Sequence, residues 1–111
     1  MRYRQLGRTG IEVSCIALGC GSFGGVGSLA ALIGRGLDEA AAFATMDEAL
    51  ALGVTLFDTA FSYAGGASDR MIGRWLARQD SEARRRIRIA TKVGTVVSAE
   101  GMRTDLSLIH I

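Results

Sequence analysis

The sequence predicts an α/β fold, a parallel sheet covered by helices. Three observations lead there. Apolar runs of strand length alternate with segments of helical periodicity, the order of a βαβ series. No internal repeat or linker divides the chain. Gly19, Asp58 and Lys92 each fall at or near the end of a strand-like run, and in a (β/α) barrel such ends converge on one face with the loops beyond them.

Residues 2–15 read as a hairpin. Tyr3 and Leu6 approach a Gly7-Arg8-Thr9-Gly10 turn, after which Ile11 and Val13 alternate with Glu12 and Ser14. Cys15 to Leu18 is a continuous apolar run, as expected of a strand buried on both faces. Glycines then dominate Gly19 to Gly27 and predict a loop. Asp38 is a helix N-cap, with Glu39 at the positive end of the helix dipole. Phe43, Met46 and Leu50 fall at i, i+3 and i+7, and Gly53 ends that helix. Val54 to Phe57 is a buried strand ended by Asp58. Ser68 is expected to cap a second helix that buries Met71, Ile72, Trp75 and Leu76. Arg70, Arg74 and Arg78 lie on its other face, read as solvated charge. Arg84 to Arg86 and Arg88 read the same way, Ile87 to Val93 is the third strand, and a weakly patterned tail follows.

Of 111 residues 49% are hydrophobic, enough for a core and too many for a disordered chain. A net charge of +2 with scattered arginines argues against nucleic acid as a partner. Val13 to Gly34 carries no charge after Arg2, Arg4 and Arg8, superficially like a signal peptide or spanning helix. Its six glycines and three serines dilute that resemblance, so no membrane association and a cytoplasmic location are expected. Cys15 and Cys20 would stand roughly 16 Å apart along a strand, beyond disulfide reach, and read as buried thiols in a reducing compartment. Twelve of the thirteen basic residues are arginine, and Lys92 is the only lysine. An ammonium is a compact charge whose pKa responds to its surroundings, which draws attention to that position.

Two motifs compete for the function. Gly19-Cys20-Gly21-Ser22-Phe23-Gly24 matches Gly-x-Gly-x-x-Gly after a strand, the fingerprint of a Rossmann-type dehydrogenase. A Rossmann unit starts its helix inside that motif and has an acidic residue about twenty positions on. Here Gly25 to Gly27 prolong the loop, and Asp58 is thirty-four residues past Gly24. The second motif is Phe57-Asp58-Thr59-Ala60-Phe61-Ser62-Tyr63 followed by Ala90-Thr91-Lys92-Val93-Gly94. Taken singly, Asp58 is a turn residue, Tyr63 a loop aromatic and Lys92 a solvated strand end. Together they place a carboxylate, a phenol and the one lysine where a barrel gathers its active groups.

Those residues, with Tyr3-Arg4-Gln5-Leu6-Gly7 and with Ser68-Asp69 opening a helix toward Gly73-Arg74-Trp75-Leu76, closely resemble the aldo-keto reductase family. The step of five residues from Asp58 to Tyr63 and of twenty-nine to Lys92 matches the family's spacing. The resemblance implies an eight-stranded (β/α)8 TIM barrel that reduces aldehydes and ketones, small-molecule carbonyl substrates, with NADPH, NADH being possible. The hairpin would cap the barrel, and residues 16–19, 54–58 and 87–93 would be its first three strands. Tyr63 matches the proton donor, Lys92 the activating lysine and Asp58 its carboxylate partner. Gly19, Cys20 and Gly21 match the loop beside the nicotinamide ribose, which Asp58 also touches. The family often has threonine where Cys20 stands. The chemistry agrees: hydride addition to a carbonyl leaves an alkoxide that needs an acid, and a buried ammonium beside a phenol makes it a better one.

The family's catalytic histidine belongs to a later strand. His110 follows Lys92 by eighteen residues with no helix between, and does not fit. Leu106 to Ile111 reads like a translated sequencing-library adapter, so residues 1–105 are expected to be a partial barrel, truncated after about three β/α units, and 106–111 a non-native tail. A whole barrel needs about 250 residues, and the isolated chain is expected to be an inactive part of a reductase. A cofactor-binding regulatory subunit of the same fold and a Rossmann-type dehydrogenase fragment remain as alternatives.

Overall fold

A computed structural model describes residues 1–98 and 101–104. Strands β1 (Tyr3–Gln5) and β2 (Glu12–Ser14) form the expected antiparallel hairpin. Gly7 and Gly10 take positive φ at its turn, where a side chain would be strained. Ser14 pins the hairpin to the chain around Thr55: its hydroxyl accepts from Thr55 N at 2.9 Å and donates to Ile16 O at 2.6 Å, while its own N–H donates to Thr55 Oγ1 at 3.0 Å. Tyr3 adds a bond from its hydroxyl to Gly53 O at 2.9 Å.

Strands β3 (Ala17–Gly19), β4 (Leu56–Asp58) and β5 (Arg88–Ala90) make a parallel sheet in that order. Gly19, Asp58 and Ala90 are aligned across it, as are Leu18, Phe57 and Ile89 one step earlier. Successive residues of a strand face opposite sides. The Leu18–Phe57 face packs on helices α1 (Glu39–Ala51) and α2 (Ala67–Ala77), and the Gly19–Asp58–Ala90 face belongs to the barrel interior. The barrel does not close within the described residues, so that inner face has no covering layer.

The core between sheet and helices holds Phe23, Met46, Phe57 and Trp75, each at most 1% exposed. Phe57 and Trp75 meet at 5.1 Å between ring centroids, and the indole N–H donates to Asp47 Oδ1 at 2.7 Å. Asp38 caps α1 by accepting from Ala41 N at 2.8 Å. The arginine face of α2 is exposed as expected, but it also ties the two helices together: Arg74 pairs with Glu39, and the Arg78 guanidinium lies 5.1 Å from the Phe43 ring centroid.

Several expectations need correction. Ser68 does not cap α2. Ala64, Gly65 and Gly66 run through left-handed backbone and bring the helix in at Ala67, leaving the Ser68 hydroxyl buried inside the first turn. The run Cys15 to Leu18 is not buried on both faces: Cys15 is exposed and Ile16 is 62% exposed, because the hairpin and the helices cover only part of that segment. The third strand is three residues long rather than seven, and as an edge it leaves Ile89 and Val93 exposed. The arginine run before it forms a short helix, α3 (Ser81–Arg86), capped by Asp80 accepting from Ala83 N at 2.8 Å. Beyond Gly94 an antiparallel hairpin joins β6 (Thr95–Ser98) and β7 (Gly101–Thr104), where the sequence showed no pattern. His110 and the suspected foreign tail lie outside the described residues.

Candidate active site

The strand ends assemble the predicted trio. Lys92 Nζ donates to Asp58 Oδ1 at 2.7 Å and to Thr59 O at 2.9 Å, and it lies over the Tyr63 ring, 5.4 Å from the centroid. Backbone bonds put each partner there. Thr59 N donates to Ala90 O at 2.8 Å, Phe61 N to Lys92 O at 2.9 Å and Tyr63 N to Ala60 O at 3.0 Å, so the loop after β4 is laced to the end of β5. The hydrogen bond that it donates to Asp58 is the main reason that the Lys92 ammonium titrates above its ordinary value. The expected buried ammonium is not found: the Lys92 and Asp58 side chains are 56% and 44% exposed, so water screens their attraction. A raised lysine pKa stabilises the fold below the ordinary lysine value, and that contribution disappears as pH rises through the raised one.

Sequence reasoning missed a second layer beneath this trio. Thr59 Oγ1 donates to Asp69 Oδ1 at 2.8 Å, Thr91 Oγ1 donates to Asp69 Oδ2 at 3.1 Å, and Ser68 Oγ donates to Cys20 O at 2.9 Å. Ser68 has only that one proton to give, so the Thr59 proton is shared between Asp69 and Ser68 Oγ, 2.9 Å away. The Ser68-Asp69 pair was visible as a helix opening. Its reach to three strand ends was not, because it depends on contacts across up to forty-eight residues.

The three residues of the first loop separate in role. Gly19 stands at the strand end with nothing within 4 Å of where a Cβ would be. Gly21 lies beside the phenol ring: a Cβ there would stand 3.7 Å from Tyr63 Cε2, an ordinary packing contact. Cys20 is wholly buried, its N–H donates to Asp58 O at 2.8 Å and its carbonyl accepts from Ser68. Burial first, and the Asp58 and Asp69 charges next, push its thiol up to about 12. Since only thiolates react readily, a native chain treated with an alkylating agent is expected to label at exposed Cys15 alone. Mass spectrometry after labelling, with and without denaturant, checks this, and native labelling of Cys20 would contradict it.

Gly21 to Gly24 starts no helix. Gly24 has positive φ, its N–H donates to Leu37 O at 2.8 Å, and the loop continues to a short turn of 3-10 helix at Ala30–Leu32. That overturns the Rossmann alternative, which required a helix at this point. Ser28 Oγ and Ser62 Oγ, 2.7 Å apart, join this loop to the one carrying Tyr63.

The model of the aldo/keto reductase family matches residues 15–108, well over half of the chain and beyond Gly94, where the visible motifs end. The chain belongs to the aldo/keto reductase family. The family is one of oxidoreductases, and the proteins most similar to this chain include the following. An uncharacterized oxidoreductase of Bacillus subtilis, YrpG, is 39% identical over 102 residues, covering 88% of this chain and 28% of that protein. The aldo-keto reductase YhdN of the same organism is 36% identical over 92 residues, covering 83% of this chain and 25% of YhdN. Among solved structures, the holo form of an aldo-keto reductase from Bacillus halodurans superposes with a TM-score of 0.74 at 34% identity, over 95% of this chain and 30% of its own. The chain thus spans little more than a quarter of the curated relatives named. Among the described residues no helix is long and apolar enough to cross a membrane, and no group of side chains could hold a metal ion.

Proposed function

We propose that this chain carries the proton-donating part of a nicotinamide-dependent reductase of aldehydes and ketones. The observation that supports it is the Lys92 ammonium held between the Asp58 carboxylate and the Tyr63 ring. In this reading Tyr63 gives its phenolic proton to the oxygen left negative when the carbonyl carbon gains a hydride. Lys92 favours the phenolate that remains, and Asp58 keeps the ammonium charged and oriented. Gly19, Cys20, Gly21 and Asp58 would hold the cofactor: they lie at the open end of the sheet and in the loop after β3, and Gly19 leaves free space there. A bound nicotinamide would supply the hydride. NADPH is the proposed donor, with NADH as the other candidate. A cytoplasmic location and a small carbonyl substrate belong to the same proposal. The chain by itself is expected to be silent, because the barrel-facing side of its sheet has no opposing wall among the described residues.

The experiment is a graft of residues 1–94 into YhdN in place of the matching segment, assayed for oxidation of NADPH and NADH with a panel of aldehydes and ketones. Turnover that requires a carbonyl substrate supports the proposal. A soluble, cofactor-binding graft that oxidises its cofactor only once per protein would sink it and favour the regulatory alternative.

A further inference from the structure

We propose that Asp69 is a positioning residue for the Asp58–Lys92 pair, acting through the hydroxyls of Thr59 and Thr91; this rests on the function proposed above. Thr59 directly follows Asp58 and Thr91 directly precedes Lys92. One oxygen of Asp69 accepts from Thr59 and the other from Thr91, so a single carboxylate bridges the chain segments that carry the two partners. The link to Thr59 counts twice, since Thr59 O is also the second acceptor of the Lys92 ammonium.

The pair needs such support. An ion pair about half exposed to water is worth little and costs side-chain freedom, so it does not by itself hold two strand ends in place. Asp69 can hold them because it is itself held. It sits in the first turn of α2, where the helix dipole favours a carboxylate, next to wholly buried Ser68 and Thr59. The charged and titratable groups acting on Lys92 directly are Asp58 and Tyr63. Asp69 therefore works at one remove, as a support that keeps reactive groups in register.

The sole lysine makes the test clean. Biosynthetic incorporation of lysine carbon-13-labelled at Cε marks Lys92 alone and leaves its N–H donors intact, and the Lys92 midpoint is followed by NMR across alkaline pH in the whole chain. Asp69→Ala is expected to lower that midpoint by roughly one pH unit, because Asp58 and Thr59 O are then no longer held against the ammonium and much of the pair's effect is lost. Asp69→Asn keeps hydrogen-bonding capacity at both oxygens' positions and should lose less than half as much. An Asn variant that falls as far as Ala would show that charge, not bridging, is responsible, and overturns the inference. Asp58→Asn separates the two readings. If it lowers the midpoint while Asp69→Ala does not, Asp69 positions nothing and the proposed function stands; if Asp58→Asn leaves the midpoint unmoved, the pair itself is absent and the proposed function falls too. Fluorescence of buried Trp75 reports folding. Should Asp69→Ala unfold, Thr91→Val removes one of the two bonds at an exposed position, and an unmoved midpoint there overturns the inference equally.

Discussion

Tyr63→Phe in the YhdN graft is expected to lower kcat for carbonyl reduction at least about a hundredfold, the usual cost of losing a general acid. The change deletes one oxygen and leaves the ring over which Lys92 Nζ lies, and the backbone bond from Tyr63 N to Ala60 O is unaffected. Cofactor affinity and folding should therefore survive, so the loss reads as chemistry rather than collapse. Lys92→Met is expected to cost a comparable factor, and the double variant little more than either single one, because an acid and the cation that supports it act as a unit. Lys92→Arg should not restore the rate. A planar guanidinium cannot donate to Asp58 Oδ1 and Thr59 O from the same point as a compact ammonium. Kinetics of the four variants with one aldehyde decide it, and near-normal turnover in Tyr63→Phe removes the phenol from the mechanism.

Trp75→Ala is expected to destabilise the fold by about 3–5 kcal/mol, the range for emptying a large aromatic site in a packed core. Trp75 is 1% exposed, rests against Phe57 in the central strand and donates to Asp47 on α1. Removing it weakens the contact of α2 with both the sheet and α1. Such a loss is a large share of a domain's usual stability of about 5–15 kcal/mol. Urea unfolding followed by circular dichroism measures it, since the variant lacks the fluorescent probe. A loss under about 1 kcal/mol would mean that the core around Phe57 refills the space or never closed on it.

Both predictions join one property of this chain, that its candidate site sits on the open side of a sheet whose other side is well packed. Leu18 and Phe57 face α1 and α2, while the adjacent Gly19 and Asp58 face the barrel interior. The alternation of strand side chains thus divides stability from function at neighbouring residues. Substitutions at Phe57 and Asp58 should accordingly differ in kind, one acting on unfolding and the other on Lys92.

The strands, the two long helices, the Asp38 cap and the trio Asp58, Tyr63 and Lys92 were legible from the residues alone. Their signals are local: apolar periodicity, a capping side chain, and reactive groups at the ends of runs. The helix α3 had a local signal too, Asp80 three residues before Ala83, but the arginines around it masked the pattern. Other features depend on which segments meet. Cys15 and Cys20 lie in the same apolar run, yet one is exposed and the other wholly buried, because only Cys20 joins the core packed between the sheet and the helices, where Ser68 of α2 donates to its carbonyl. The cap of α2 moved from Ser68 to Gly66 because left-handed Gly65 and Gly66 bring the helix in at Ala67, and the Ser68 hydroxyl, inside the first turn, donates to Cys20 O instead of accepting from helix N–H groups. Asp69 gave no sign of its reach to Thr59 and Thr91, for a hydrogen bond to residues ten positions before and twenty-two after is a fact of packing. By itself the sequence determined which chemical groups this protein carries and in what order. The tertiary structure decided which of them are dry, which are wetted and which hold the others still, because burial and long-range bonds exist only once β3, β4 and β5 lie side by side.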